Sequence, residues 1–324
     1  PDINTEQMME YIKGPDFPTG GIVTNKDELL SIYSTGVGKI KIRGKVEVEK
    51  LKGGRACLVI TEIPYTMIGL NIGKFLNDVY SLVESKKTTD IVDISNQSSK
   101  EGIRIVIEVK KGADIVNLKN MLYKNTKLED TFGVNMLAVA DGRPETLGIV
   151  PLIRHHVNFQ YELATRKYKT LLAKELDKKE IQEGLIGACD VIDLIIEILR
   201  GSTNIKDAKA CLTTGDITNI HLKSKESEAK AKNLRFTERQ ATAILEMRLY
   251  KLIGLELEAL QKENEQTLKN IAEYEDILSN RATMAKVIIK ELERYKKEYG
   301  VARRTQIENA AEAVFEEKKI EEMD

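Results

Sequence analysis

Four basic side chains recur at every second position of one short stretch, a spacing that could bind a row of phosphates: Lys39, Lys41, Arg43 and Lys45. The stretch from Lys39 to Glu49 alternates throughout, which predicts a half-buried strand with its isoleucines and valines, Val48 included, directed inward. Alternate strand residues lie roughly 6.6 Å apart, comparable to the separation of successive phosphates along a DNA strand. Such a row can neutralise phosphates without reading bases. The alternative is a solvated sheet face whose lysines pair with neighbouring glutamates.

The same patterns give no sign of a catalytic centre. The histidines are His155, His156 and His221, and the adjacent pair cannot share one helix face. The sequence contains no HExxH zinc motif, Walker loop, GxGxxG or GxSxG. If the chain belongs to an enzyme, we expect its reacting group to lie elsewhere.

Composition excludes several classes of protein. Fifty Lys+Arg face 51 Asp+Glu, so a globally basic nucleic-acid coat is excluded and any anion-binding surface must be local. Cys57, Cys189 and Cys211 are odd in number and form no CxxC, which argues against disulfides or zinc and suits a reducing cytosol. No apolar run reaches the roughly 18–20 residues that span a bilayer. The chain starts at Pro1 rather than Met, so we expect a piece of a longer protein.

The distribution of proline divides the chain near Pro151. All six prolines lie at or before that residue, and proline is excluded from helix interiors. The front half contains strand patterns at 39–49, 55–63, 103–109 and 132–140, with helical stretches between them. This order predicts an α+β front domain, a sheet layered by helices.

The back half is predicted to be almost entirely helical. Apolar positions recur at three and four residues from Val157 to Leu171, and again from Leu257 to Leu278. Two such stretches predict a long antiparallel coiled coil capped by a small helical globule. Asn264, at a seam position, would fix the register. Two ordinary core helices of a bundle are the alternative.

Within the globule, a polar segment from Lys223 to Lys232 is predicted to be a mobile loop. A capping box at Thr237 to Gln240 starts a helix that is apolar around much of its girth. We therefore expect part of that helix to face a second chain, and complete burial inside the globule is the alternative. Its apolar residues are Ile244, Leu245, Met247, Leu249 and Leu252.

Several strings occur in one order along the chain: YIKGPDFPTGG (11–21), GKIKIRGK (38–45), TEIPY (61–65), EGIRIVIE (101–108), FGVNML (132–137), DGRP (141–144) and RRT (303–305). Together they resemble the A subunits of bacterial type IIA DNA topoisomerases, those of DNA gyrase and of topoisomerase IV alike. The string from Pro15 to Gly21 is highly specific. The resemblance covers essentially the whole chain and does not separate the two kinds of enzyme.

The resemblance implies a division of the chain into five parts. These are a tower-like α+β domain (1–150), an outgoing coiled-coil helix (151–183), a helical exit-gate globule (184–256), a returning helix (257–299) and a return to the tower (300–324).

The function implied is that of a fragment of the DNA breakage-reunion subunit of an ATP-dependent topoisomerase. Such a fragment would support the flanks of a cleaved duplex and form the dimeric exit gate for a passed duplex. In the family, a winged-helix domain with the DNA-cleaving tyrosine precedes the string at Pro15 by many tens of residues. We therefore expect this chain to lack the nucleophile and not to cleave DNA alone, and we assign no catalytic residue.

The partners implied are double-stranded DNA, a second copy of the chain and a B subunit in an A2B2 complex, in the cytoplasm with the chromosome and without a membrane. Mg²⁺ and ATP are expected on the B subunit, and no cofactor is expected in this fragment. The resemblance favours DNA contact for Lys39, Lys41, Arg43 and Lys45, with Lys50, Lys52 and Arg55 as weaker additions, and dimer contact for the helix after Thr237. The alternative function is a non-enzymatic coiled-coil DNA-organising scaffold with a dimerising tip.

Overall fold

The computed structural model describes residues 3–316, which divide into two compact units. Residues 3–157 and 299–316 form unit one, and Asn158–Glu298 form unit two. Unit one contains sheets and helices whereas unit two is helical, so the predicted fold class is confirmed. Because unit one contains both early and late residues, unit two is an insertion into its sequence.

The described strands of unit one form two four-stranded sheets and a two-stranded ribbon. Sheet one has the order β10-β1-β2-β7, sheet two has the order β3-β4-β6-β5, and the ribbon pairs β8 with β9. The strands are β1 (Ile22–Val23), β2 (Val37–Arg43), β3 (Lys45–Lys50), β4 (Ala56–Glu62), β5 (Ile91–Asn96), β6 (Ile105–Val109), β7 (Glu129–Asn135), β8 (Leu137–Ala140), β9 (Arg143–Thr146) and β10 (Gln306–Ile307).

Helices bury the apolar sides of these sheets. The helices of unit one are α1 (Thr5–Met9), α2 (Leu29–Thr35), α3 (Asn71–Glu84) and α4 (Ile115–Asn125). Phe75 of α3 and Met121 of α4 join Leu58 and Ile107 of sheet two in one buried cluster. A second cluster surrounds Ile40 of β2 and includes residues of α2. These clusters hold each sheet against its helices, since burial of apolar area is the main stabilising contribution.

The predicted strand from Lys39 to Glu49 is in fact two strands in different sheets. The chain breaks at Gly44, whose N–H donates to the Leu128 carbonyl at 2.7 Å. A Cβ at Gly44 would lie 2.5 Å from Leu128 Cδ1, so glycine permits this close approach. The isoleucines of β2 are buried as predicted, but Val48, on the edge strand β3, is exposed.

Three aromatic rings connect the two sheets. Phe17 and Phe132 lie 5.1 Å apart in an edge-to-face arrangement, and Tyr65 lies 6.0 Å from Phe17 and 6.3 Å from Phe132. Phe132 belongs to β7 of sheet one, whereas Tyr65 closely follows β4 of sheet two. Edge-to-face contact stabilises such pairs beyond their buried area, so this cluster fixes one sheet relative to the other.

The remaining helices build unit two, and the first of them starts in unit one. They are α5 (Ile149–Asp190), α6 (Ile192–Gly201), α7 (Ile205–Thr214), α8 (Lys225–Lys232), α9 (Glu238–Leu245), α10 (Gly254–Ser279) and α11 (Arg281–Tyr299). Between residues 3 and 316, none of the helices is both long and apolar enough to cross a membrane.

The two heptad stretches pair as antiparallel helices. Tyr168 of α5 packs on Tyr274 of α10 with ring centres 5.5 Å apart. Further along α5, Gln182 accepts a hydrogen bond from Asn264 at 3.3 Å. Residue numbers thus rise on α5 while they fall on its partner, and the predicted antiparallel pairing is confirmed. Asn264 lies at the seam between the two helices, as predicted.

The returning stretch, predicted as one helix, is two helices. They meet at Asn280, which leaves the helical conformation with φ −117° and ψ 107°. Its side-chain oxygen accepts from the N–H of Ala282 at 2.9 Å and so caps the start of α11. Asn280 lies just beyond the apolar pattern of Leu257 to Leu278, so that pattern does not reveal the break.

The seam between α5 and α10 contains a buried polar layer. Glu175 is buried and accepts from Lys178 Nζ at 2.8 Å and from Asn270 Nδ2 at 3.2 Å. The hydrogen bond from Lys178 lowers the pKa of the Glu175 carboxyl, and Asn270 acts in the same direction. The pair Gln182–Asn264 lies further along the same seam. Polar seam residues specify register at a cost in stability.

The globule has its own apolar core, built by α6, α7, α8 and α9. Ile198, Leu212, Ala231 and Ile244 are buried there together. The prediction of a mobile loop from Lys223 to Lys232 is wrong, because this segment contains α8. Ser224 caps that helix. Because Ala231 is its single buried residue, the sequence of the helix has no apolar periodicity that would predict it.

The polar layer gives a testable prediction for stability. Asn270→Leu should leave the buried Glu175 carboxylate short of a donor and lower the free energy of unfolding by about 1–3 kcal/mol. The double variant Glu175→Leu/Asn270→Leu should recover that loss or exceed the parent, because an apolar pair needs no hydrogen bond. Urea titrations of all four members of the cycle measure the coupling. Two additive losses would contradict the prediction.

Candidate nucleic-acid interface and tip surface

The predicted basic row is only partly assembled on one strand. Lys39, Lys41 and Arg43 share one face of β2, where they alternate with buried isoleucines. Lys45 is the first residue of β3 in the other sheet, and its ammonium lies 3.2 Å from Glu47. The prediction that all four cations project from one strand face is therefore wrong for Lys45, because the chain changes sheets between it and Arg43.

The guanidinium of Arg43 forms an ion pair within unit one. Its guanidinium pairs with the carboxylate of Glu129, the residue opposite it on β7, and its side chain is only 14% exposed. It also donates to the carbonyl of Ala311 at 2.8 Å and lies 4.9 Å from the centre of the Tyr123 ring. Burial raises the pKa of Tyr123. A phosphate could reach Arg43 only by displacing a partly buried carboxylate, which is costly.

Lys39 and Lys41 are the accessible cations of the row. Lys39 is exposed, and Lys41 pairs at 3.3 Å with the exposed carboxylate of Glu312. The strand backbone beneath them is held by Asn25, whose side chain donates to the Lys39 carbonyl and accepts from the Lys41 N–H. Exposed ion pairs contribute about 0–1 kcal/mol, so a phosphate can replace Glu312. Lys50, Lys52 and Arg55 are exposed on and after β3.

Residues 303–305, near the end of the described chain, form hydrogen bonds with the string from Pro15 to Gly21 and with Gly14 before it. Thr305, 1% exposed, accepts from the N–H of Phe17 at 2.8 Å and donates to the carbonyl of Gly20 at 3.0 Å. Arg303 donates to the carbonyls of Gly14 and Pro15. We call these contacts the latch. Both halves of the latch were visible in the sequence as separate strings, but nothing in either string indicates that they touch.

Asp16 completes the latch from the other side. Its carboxylate accepts from the N–H groups of Thr305 at 2.9 Å and Arg304 at 3.0 Å. The backbone hydrogen bond from Thr305 lowers the pKa of Asp16, helped by the N–H of Arg304 and the charge of Arg303. The carboxylate is therefore ionised at neutral pH and holds the start of β10 beside β1.

The tip of the globule differs from the prediction. The expected helix through Leu252 ends at Leu245, and the chain then forms a single 3-10 turn, Leu249–Leu252. Ile244 is 4% exposed and lies in the globule core, so its assignment to a dimer surface is corrected. Leu245 is half-buried against the same core, and its assignment to a dimer surface stays a prediction. Both lie on the inner side of α9, which the apolar pattern did not distinguish from the outer side.

The other predicted tip residues are more accessible. Leu249 is 80% exposed, whereas Met247 and Leu252 are half-buried. Two residues that the sequence reasoning did not select, Tyr250 and Ile253, are exposed beside Leu249. The available signal was the apolar character of the residues around them, which only Lys251 interrupts between Leu249 and Ile253. An exposed apolar cluster of this kind is typical of an interaction surface.

A groove of about 710 Å³ lies in unit two between α5, α9 and α10. Apolar residues such as Ile181, Leu185, Met247 and Leu260 line it together with charged residues, among them Arg239 and Glu263. The groove adjoins the exposed tip cluster, since Tyr250 belongs to its lining.

Side chains with catalytic potential are dispersed across the described structure. Within residues 3–316, no group of three or more His, Cys, Asp or Glu side chains is arranged to hold a metal ion. His155 Nδ1 lies 3.9 Å from the Asp141 carboxylate, at the limit of an ion pair. Burial raises the pKa of Cys211 to about 11, so its thiol is neutral and unreactive at physiological pH.

Comparison with known proteins gives consistent matches along the chain. The family of the DNA gyrase/topoisomerase IV A subunits matches residues 2–293. The DNA gyrase A subunit of Clostridium acetobutylicum is 37% identical over 99% of this chain and 36% of its own length. The topoisomerase 4 A subunits of Staphylococcus epidermidis and Bacillus subtilis are 36% and 37% identical, over 37% and 36% of their lengths. The chain thus spans about a third of the relatives it matches.

The latch predicts a large effect from one buried hydroxyl. Thr305→Val preserves shape but removes both hydrogen bonds, leaving the N–H of Phe17 and the carbonyl of Gly20 unpaired. We expect the free energy of unfolding of unit one to fall by about 1–3 kcal/mol. Thermal or urea unfolding measures the change. The control Thr170→Val, at an exposed position where the hydroxyl bonds only its own helix, should change stability by less than about 0.5 kcal/mol. Equal effects of the two substitutions would contradict the role of the latch.

Proposed function

Because this chain belongs to the family of the A subunits of DNA gyrase and topoisomerase IV, we propose that it forms part of the breakage-reunion subunit of a type IIA topoisomerase. Its contribution is binding and gating: unit one supports the flanks of a cleaved duplex, and unit two provides the dimeric exit gate for a passed duplex. The full enzyme works on double-stranded DNA in the cytoplasm, as an A2B2 complex with B subunits that hold ATP and Mg²⁺.

The DNA part of the proposal is carried by the exposed face of β2. Lys39 and Lys41 stand on that face at alternate positions, so their charges are spaced roughly 6.6 Å apart at the strand, and a phosphate backbone can follow them. Arg43 serves this surface indirectly because its pairing with Glu129 fixes β2 to β7. Lys45, on β3, belongs to the proposal only as a separate cation of sheet two. Contacts of this kind bind DNA without reading its sequence.

The gate part of the proposal is supported by the exposed tip cluster of Leu249, Tyr250 and Ile253. In this assignment unit one corresponds to the tower, the paired helices of unit two to the coiled-coil arms, and α6 to α9 to the gate globule. The cluster is small, and apolar burial contributes about 25 cal/mol per Å² before the cost of association. A small apolar contact suits a gate that must open and close.

The first test of this function is electrostatic. We expect Lys39→Ala/Lys41→Ala to weaken binding of a labelled duplex and to reduce the slope of log K against log salt by about 0.9 for each phosphate that is no longer neutralised. Fluorescence anisotropy at several salt concentrations measures both quantities. The control Lys100→Ala/Lys124→Ala removes two exposed lysines elsewhere in unit one and should leave the slope unchanged. A full parental slope in the β2 variant would reject DNA binding by this face.

The second test concerns self-association. Sedimentation equilibrium at tens of micromolar should find a dimer of the parent chain and a monomer of Leu249→Asp, because a charge in an apolar contact must be desolvated. The control Ile289→Asp introduces the same charge at an exposed position of α11 and should preserve the dimer. Ile244→Asp is unsuitable because that residue lies in the globule core. A monomeric parent would count against the gate.

A further inference from the structure

Exposure alternates without interruption through β7 and into the ribbon strand β8. From Thr131 to Ala140 each odd-numbered residue is exposed and each even-numbered one is partly or fully buried. Because successive strand side chains point to opposite faces, the odd-numbered residues form one continuous outer face. The residues of this outer face are Thr131, Gly133, Asn135, Leu137 and Val139.

The accessible lysines of β2 stand on the same outer face. Lys41 pairs with Thr131, Lys39 with Gly133 and Val37 with Asn135 in the antiparallel register, and directly paired residues share a face. At Gly133 a side chain would meet nothing within 4 Å, so the surface beside Lys39 is open to a bulky ligand. The outer face is thus cationic at one end and uncharged in the middle.

At its other end the outer face is apolar and strongly exposed. Leu137 is 60% exposed and Val139 is 77% exposed. Across the ribbon Leu137 pairs with Thr146 and Val139 with Pro144, so this side of the ribbon carries no charge. The register puts Glu145 and Arg143 on the opposite side, beside Ala138 and Ala140.

The ribbon is held in a defined position. Its turn contains Asp141 with φ 50° and Gly142 with φ 78°, the left-handed pair that matches the twist of a tight hairpin. At its base the N–H of Met136 donates to the carbonyl of Gly36 at 2.8 Å. A Cβ at Gly36 would lie 2.3 Å from the carbonyl oxygen of Leu147, so only glycine allows this base to sit against the start of β2.

We propose that the uncharged face of the ribbon, Leu137, Val139 and Pro144, is a second duplex-binding site that rests on the deoxyribose walls of the minor groove. The proposal rests on the proposed function, since it extends the contact made by Lys39 and Lys41. Eight strand residues separate Thr131 from Val139, a span of about 26 Å, which corresponds to roughly eight base pairs at 3.4 Å each.

Double-stranded DNA is the occupant that this arrangement fits. Lys39 and Lys41, at the cationic end, would bind phosphates. Leu137 and Val139, at the apolar end, would contact the deoxyribose, which is the apolar part of the DNA backbone. Proteins that bind the minor groove combine cationic or polar side chains with apolar ones such as Leu, Ile and Pro, and this face joins Lys39 and Lys41 to Leu137 and Pro144 in the same way. The carboxylate of Asp141, in the turn of the ribbon, lies 3.9 Å from His155 Nδ1.

The test compares binding affinity with salt dependence in this chain. Leu137→Ser/Val139→Ser should weaken binding of a 30-base-pair duplex about fivefold to tenfold without changing the salt slope, because no ionic contact is removed. The matched control Val92→Ser, at an exposed position of the edge strand β5, should bind as the parent does. A ribbon variant with parental affinity would overturn the proposal, and so would a reduced slope.

The two proposals fail separately. If Lys39→Ala/Lys41→Ala lowers the slope but the ribbon variant binds normally, the DNA contact of β2 stands and only the ribbon site is rejected. A second measurement covers a ribbon variant that misfolds. Val139→Cys, conjugated to copper phenanthroline, should cut bound duplex in the minor groove roughly eight base pairs from the site reached by the same conjugate at Lys41→Cys. Absence of cutting by the Val139→Cys conjugate would overturn the ribbon site.

Discussion

The hydroxyl of Thr305 is the contact on which unit one depends. It joins two segments 288 residues apart in sequence, where it satisfies the N–H of Phe17 and the carbonyl of Gly20 in a buried position. Without it, both backbone groups would be buried and unpaired, which costs more than the bond itself contributes. The same contact places β10 beside β1, so it completes sheet one, and sheet one carries the candidate DNA-binding face.

In β2 of sheet one, the residues that stabilise the core and the residues available for binding lie on opposite faces of the strand. Even-numbered residues of β2 enter the core, and odd-numbered ones reach the surface. Within the surface set, Arg43 is committed to Glu129, while Lys39 and Lys41 stay accessible. Unit two makes a comparable division, since Ile244 supports the globule core and Leu249, a few residues later, is exposed. In both units a binding surface therefore adjoins the residues that hold its backbone.

Patterns with a clear period were predicted well from the sequence. The alternation in β2 predicted its buried isoleucines, because burial selects apolar residues at the structural period. The heptads predicted the antiparallel pairing of α5 with α10, although most of the predicted seam residues are only half-buried. Features without a period were missed. The break at Gly44 depends on a close approach to Leu128, and the end of α9 depends on the following 3-10 turn. The latch joins two distant strings by hydrogen bonds, for which a single sequence carries no signal.

The insertion of unit two into unit one has a consequence during translation. The ribosome must synthesise all of residues 158–298 after the front of unit one has emerged and before Thr305 exists. At about 5–20 residues per second this takes roughly 7–28 s. Throughout that interval the nascent front half lacks β10, the edge of β1 is unpaired, and the carboxylate of Asp16 faces water. The helical insert can fold meanwhile, so unit one is the last part of the chain to close.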